Sequence, residues 1–318
     1  MNVMITGGQG FLGRHLARRL VDFGYRIILF DRSPHETEVE SRGFGKMPVS
    51  PDLLIPIRGE VDDIDLLKEI IRSYRIEIVV HLATLLTEEC ARHPAMAARV
   101  NCVGTAAVFE ASLSLGVRRV IFGSSVAVFG DAPALPKGDN RPYDPPSVYG
   151  ATKVFGEYLA RAMMKDHPDL ELIGLRFGWI YGAGRVRGWN DIQKVIEGFA
   201  MEEKLVLYPD YDHPNDWTYA SDAVEAIVRC LNSPRPSVVA YNVSGDYRPI
   251  QDAIRHLQRR FPYVQAKPYP AVLPRNAWDF QADRIVQEAG YQCRVKLEQG
   301  LDLAVDEIRR IHGLPPVG

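Results

Sequence analysis

A doubly wound parallel α/β sheet followed by a smaller C-terminal lobe is the architecture that this sequence predicts. Three observations carry that expectation. Short β-branched runs alternate with stretches of helical period through the first half, as parallel strands joined by crossover helices do. Gly7, Gly10 and Gly13 stand between the first such run and the first helical stretch, where a tight turn has to be made. After Tyr181 the alternation breaks down, and from Gln251 the chain reads as helix, Pro-rich connection, helix, loop and helix, the outline of a second lobe.

The elements follow in order. Val3 to Thr6, Arg26 to Phe30, Leu53 to Ile57, Ile76 to Leu82, Arg119 to Gly123 and Leu170 to Arg176 are the candidate strands, short apolar runs rich in branched side chains. Leu12, Leu16, Leu20 and Phe23 recur at spacings of four, four and three, which puts them on one helical face that should pack on the sheet. Arg32 to Pro51 and Gly130 to Ser147 hold prolines and glycines without an apolar period and read as loops. A helical run from Ser221 to Leu231 opens with Ser221 and Asp222, either of which can cap it.

With 318 residues, 46% hydrophobic and 25% charged, the chain has an ordinary globular composition, which excludes a disordered or collagen-like protein. Its 38 basic and 40 acidic residues leave a net charge of -2, no global field for nucleic acid or an anionic membrane. Arginine outnumbers lysine among the basic residues, favouring forked contacts to carboxylates or phosphates. Cys90, Cys102, Cys230 and Cys293 form no Cys-x-x-Cys pair and the histidines no His-x-x-x-His, so neither a disulfide framework nor a metal site is expected. No apolar run approaches the ~18 residues of a spanning helix, and a cytoplasmic protein is expected.

The chemistry begins with Thr6-Gly7-Gly8-Gln9-Gly10-Phe11-Leu12-Gly13. Glycines at this spacing allow a tight turn, close backbone approach to a pyrophosphate and close helix packing, with the phosphate charge at a helix N-terminus. Gly7, Gly10, Phe11, Leu12 and Gly13 are therefore candidate cofactor contacts. Asp31 closes the second strand about 20 residues on, where a carboxylate binds ribose hydroxyls and repels a 2′-phosphate. NAD is expected over NADP, with Arg32 beside it able to soften the preference. Tyr149 and Lys153 stand four apart, on one helical face, so that the ammonium can lower the phenol's pKa and make a general base. Fourteen tyrosines and nine lysines make a chance pair commonplace, and the setting after a fifth strand carries more weight. That strand ends in Ser124 and Ser125, at the edge where such sheets place ligands.

Taken together these residues resemble the extended branch of the short-chain dehydrogenase/reductase superfamily, the NAD-dependent epimerases and dehydratases. The likeness spans nearly the whole chain and its motifs keep their order: the glycine turn, His81-Leu82-Ala83, Asn101-Cys102-Val103-Gly104-Thr105, Gly123-Ser124-Ser125, and Tyr149 with Lys153. It implies a Rossmann sheet of residues 1–178 with roughly 214–242, and a substrate lobe of roughly 179–213 and 243–318. It implies Tyr149 as base, Lys153 as ribose binder and electrostatic helper, and Ser125 as third catalytic group. Further cofactor contacts implied are Glu60 and Val61 beside the adenine, Leu82, Ala83, Asn101, and Phe177 and Gly178 near the nicotinamide. Thr84, Ser125, Trp179 and Arg185 are the candidate substrate contacts, and a homodimer is implied.

Departures narrow the reaction. Where dehydratases of this branch carry an Asp-Glu pair after the catalytic hydroxyl, Val126 and Ala127 follow Ser125, and neither can move a proton. Trp179 replaces the usual sugar-nucleotide Asn, and Asn215-Asp216-Trp217 replaces a segment whose Arg binds diphosphate; Arg185, Arg187 or Arg275 would have to substitute. The expected function is NAD-dependent oxidoreduction at a secondary alcohol carbon of a sugar, sugar acid or polyol, net dehydrogenation slightly favoured. The alternatives are an NAD-retaining sugar or nucleotide-sugar epimerase and a non-catalytic dinucleotide-binding regulator.

Overall fold

The computed structural model describes residues 1–33, 52–130, 141–188, 191–211, 214–271 and 281–317. Most of the two loops read from sequence, and Arg275, lie outside the described residues. Among the described residues a seven-stranded sheet is formed by β1 (Asn2–Thr6), β2 (Arg26–Asp31), β3 (Leu54–Arg58), β4 (Ile78–His81), β5 (Arg119–Ser125), β6 (Glu171–Phe177) and β10 (Ala240–Val243). Its order is β10-β6-β5-β4-β1-β2-β3, parallel throughout. The expected doubly wound sheet is thus present. Strands β1, β4 and β6 are buried along almost their whole length because helices cover both faces of the sheet. The edge strand β3 has only half-buried and exposed positions and carries Pro56, which a sheet edge tolerates.

On one face pack α1 (Phe11–Asp22), α8 (Ala220–Asn232) and α10 (Asp283–Ala289), meeting Val3, Ile5, Val80 and Ile121 through Leu16, Leu20, Ile227 and Ile285. On the other lie α2 (Ile64–Ser73), α5 (Gly104–Ser114) and α6 (Val148–Asp166). Leu16 and Leu20 are buried as their spacing requires, and each is worth about 1.5–3 kcal/mol of apolar burial. Phe23 departs from that face: the helix ends at Asp22, and Phe23 is 46% exposed with the Arg19 guanidinium over its ring. Asp222 does not cap its helix either. Tyr219 stands at that N-cap with no side-chain bond, while Asp222 accepts the Arg294 and Val295 amides at 3.1 and 2.9 Å. Those buried donors need an acceptor, and tertiary contact supplies it.

A third core, with Tyr181, Phe199, Trp217, Leu257 and Leu301, gathers β7 (Trp179–Tyr181), α7 (Asp191–Ala200), β9 (Asn215–Tyr219), α9 (Ile250–Arg260) and α11 (Leu297–Ile311). Two small sheets accompany it. One joins β7 and β9 to β11 (Asp246–Arg248); the other pairs β8 (Leu205–Asp210) with β12 (Gln265–Pro270), a strand inside what reads from sequence as a Pro-rich connection. Among the described residues no helix is long and apolar enough to cross a membrane.

Candidate active site

A cavity of about 810 Å³ opens at the C-terminal ends of β1 and β4, where the strand order reverses and such sheets receive ligands. Its first wall is the turn between β1 and α1. Gly7 has φ +69°, and a Cβ there would lie 2.6 Å from the Ala83 amide nitrogen; one on Gly13 would run into the Gly7 carbonyl. Gly10 caps α1 without any side-chain bond to the first-turn amides, which leaves them to an anion. Asp31, last in β2, accepts from the Gln9 amide at 3.0 Å and the Ser33 amide at 2.9 Å, which holds its carboxylate at the wall. Arg32, Glu60, Val61, Leu82, Ala83, Phe177 and Gly178 complete this end. A backbone cradle without room for side chains, a helix terminus and a fixed carboxylate fit a dinucleotide.

At the other end Ser147 caps α6 by accepting the Gly150 amide at 3.1 Å, so Tyr149 stands in the first turn and Lys153 one turn on. Gly150 abuts the Ala127 carbonyl, which brings the helix onto the end of β5. Tyr149 and Ser125 share the wall of the cavity, and the Lys153 ammonium donates to the Gly123 carbonyl at 2.8 Å. Burial pushes the phenol up to about 12, against the pull of the Ser125 hydroxyl and the Arg185 guanidinium. Lys153, 5.4 Å from the Tyr149 ring centroid, is itself brought down to about 8 by burial. Desolvation therefore outweighs the pull on the phenol, and the cation that lowers it is Arg185 rather than the lysine expected from spacing. Ser124 takes a different partner, donating to Glu157 at 2.5 Å. The two serines are thereby distinguished, which spacing could not do.

Thr84, Trp179 and Arg185 line the substrate end with Ser125. Trp179 stacks on Trp217 with centroids 5.7 Å apart, and Arg185 donates to the Ile180 carbonyl. Asn215 is 0% exposed with neither side-chain polar atom partnered, and it is not part of the wall, whereas Arg187 is. Asn101 is likewise outside the wall: its amide accepts from Leu85 N at 2.7 Å and donates to Leu85 O and Thr152 at 3.0 and 3.1 Å. A π-helical turn, Ala98–Val103, turns it that way. Sequence reasoning missed Asp216, which lines the cavity and accepts the Gly245 amide at 2.6 Å. A Cβ on Gly178 would lie 2.5 Å from its carboxylate, so Gly178 makes room for it. Glu157 was also missed, although Tyr149, Lys153 and Glu157 at spacings of four mark a single helical face.

A model of the NAD dependent epimerase/dehydratase family matches residues 3–244. The chain belongs to that family. It is an enzyme family, and NAD is the cofactor. Among curated relatives, a UDP-glucose 4-epimerase of Mycolicibacterium smegmatis is 26% identical over 321 residues, covering 97% of this chain and 99% of that protein. Among solved structures, the UDP-glucose 4-epimerase of Thermotoga maritima with UDP-glucose superposes with a TM-score of 0.83 at 22% identity, over 98% of this chain and 99% of the other. The L-threonine 3-dehydrogenase of Trypanosoma brucei reaches 0.85 at 18% identity, over 98% of both chains. The two structures establish likeness of fold.

Proposed function

We propose that this chain is an NAD-dependent epimerase that inverts a secondary alcohol carbon of a sugar-type substrate. The placement of Ser125, Tyr149 and Lys153 in the same cavity as the Gly7–Gly13 turn and Asp31 carries the reading. Tyr149 takes the alcohol proton, Ser125 holds the reacting oxygen in line, and Lys153 binds the cofactor's ribose and keeps positive charge beneath the phenolate. Bound NAD supplies the reversible two-electron acceptor. The proton returns from Tyr149 once the carbonyl has been reduced on its opposite face.

Sequence alone leaned to net dehydrogenation; a relative of nearly equal length called UDP-glucose 4-epimerase favours epimerisation. Dehydration is disfavoured, because Val126 and Ala127 offer no proton-moving group beside Ser125. Asn215, sealed from solvent, is out of reach of a diphosphate, so the anionic part of a sugar acid or nucleotide sugar falls to Arg185 and Arg187, cations of the substrate wall. Within this reading the dinucleotide domain is 1–178 with roughly 214–242, and the remainder is the substrate lobe. Exposed Val103, Val148, Phe155 and Tyr158 support a homodimer, which sedimentation of the wild type and Phe155→Glu checks by a fall in mass.

The test is to denature dialysed protein and quantify released dinucleotide, then to follow isomer pairs of sugars, sugar acids and nucleotide sugars by NMR. Near-stoichiometric NAD with interconversion and no net NADH is the expected result. Empty protein that accumulates NADH with a polyol or sugar acid overturns epimerisation in favour of a dehydrogenase. No turnover on either panel would leave a dinucleotide-binding regulator.

A further inference from the structure

Beneath the Ser125–Tyr149 pair lies a buried charge cluster that the proposed chemistry leaves unexplained. Glu157 is 0% exposed. It stands one helical turn beyond Lys153 on α6, and three elements reach its carboxylate. Ser124 of β5 donates to Oε1 at 2.5 Å. Tyr143, in the segment before α6, donates to Oε2 at 2.6 Å. Arg176 of β6 closes a fork, Nε to Oε1 at 2.9 Å and a terminal nitrogen to Oε2 at 2.6 Å. A buried ion pair gives little net stability, because both charges lose water. Its use lies in geometry, since a fully bonded buried network admits one arrangement.

That arrangement bears on the reacting groups. Ser125 sits at the last position of β5, opposite Phe177 in register, and Ser124 is opposite Arg176. Tyr149 sits on α6. The distance between the two hydroxyls depends on how the end of β5 is held against that helix, and the contacts nearest its last residues include Gly150 on Ala127, Lys153 on the Gly123 carbonyl, and Glu157 on Ser124. Of these only the Glu157 contact also reaches β6, the strand that leads into the wall residues Phe177, Gly178 and Trp179. We propose that Glu157 is a positioning residue, which through Ser124 and Arg176 fixes the end of β5 on α6 and so sets the Ser125–Tyr149 distance. The inference rests on the reading of that pair as the reacting groups.

Glu157 also supports the charge of Lys153; the other ionisable groups around the ammonium are the Tyr149 phenol, the Cys90 and Cys102 thiols, whose own ionisation burial pushes up, and His81 of β4, with Arg176 on the far side of Glu157. Removing its charge therefore moves the loss of the lysine proton to lower pH.

Ser124→Ala cuts one tooth of the network and leaves the ion pair in place; Glu157→Gln removes the charge, and Glu157→Asp restores it. A small displacement of reacting groups lowers kcat by about 10- to 100-fold; that loss is expected in both Ser124→Ala and Glu157→Gln with unchanged NAD affinity. Glu157→Gln should in addition shift the alkaline limb of kcat to lower pH, with partial recovery of rate and limb in Glu157→Asp. Wild-type kcat in Ser124→Ala overturns the proposal, even if Glu157→Gln does not fold. A second readout needs no substrate. In protein labelled with fluorotyrosine, the Tyr149 resonance, assigned by its loss in Tyr149→Phe, should move in Ser124→Ala as Ser125 shifts against the phenol. If the wild type turns over no substrate, the reading of the reaction fails and this resonance decides alone: a shift supports the positioning role and an unmoved line overturns it.

Discussion

The two ends of the cavity are built from opposite materials. The cofactor end is backbone: Gly7, Gly10 and Gly13 lie within one strand-turn-helix unit, and a Cβ at the first or last would strike main-chain atoms. The substrate end is side chains: Thr84, Trp179, Arg185 and Asp216 come from separate stretches and are held by ring stacking and hydrogen bonds. A wall made of backbone tolerates few changes. One made of side chains can be rebuilt without disturbing the sheet, and here Trp179 stands in it while Asn215 is sealed behind it. That an L-threonine 3-dehydrogenase superposes as well as an epimerase does makes the same point: the shared fold positions the chemistry and leaves the substrate open.

Four experiments would break or sharpen that contrast. The largest effect is expected where the ends meet: Tyr149→Phe should lower kcat at least ~100-fold, the lower edge of a general-base contribution, with NAD affinity by calorimetry unchanged. Wild-type rates would remove the phenol from the reaction. At the cofactor end, Asp31→Ala should weaken NAD by about 10- to 100-fold, the range of a hydrogen bond to a charged group, and leave NADP almost untouched. Equal losses would show that the carboxylate reads no ribose hydroxyl.

The same end should carry an acid-sensitive share of stability. Burial brings His81, between Thr6 and Thr105, down to about 3 and His15 of α1 down to about 4. Both imidazoles stay neutral in the folded chain while the unfolded chain takes up protons below pH 6.5, so stability falls as pH drops from 6.5 toward 4. The slope approaches about 1.4 kcal/mol per pH unit for each group. Denaturant melts between pH 7.5 and 5 check this, and His81→Gln should flatten the curve; an unchanged slope rejects the buried neutral imidazole. The smallest effect tests the substrate end: Trp179→Asn should change the substrate KM by severalfold without altering NAD affinity, and Asn215→Ala should change neither. A raised KM in Asn215→Ala would return that residue to the wall.

Local rules made much of this legible. The six strands read from sequence lie within a residue or two of the observed ones, because a run of branched apolar residues between turn signals has few other uses. The glycine turn was legible because its constraint is steric and spans seven residues. Tyr149 and Lys153 were legible because 3.6 residues per turn put them on one face whatever they pack against. The same period failed at Phe23, where the helix stops one residue short and the ring stays in solvent under Arg19.

By itself, then, the sequence determined six of the seven strands of the sheet, all but β10, the turn that meets a phosphate and the spacing of the candidate base and lysine. Only the tertiary structure decided that Ser124 meets Glu157, that Asp222 holds a segment 72 residues away rather than its own helix, that Asn101 braces Leu85 outside the cavity, and that Glu157 ties three elements together. The first set depends on torsion, sterics and helical period, which act between neighbours in the chain. The second depends on which buried donor meets which acceptor, and burial brings together groups that the sequence separates by tens of residues.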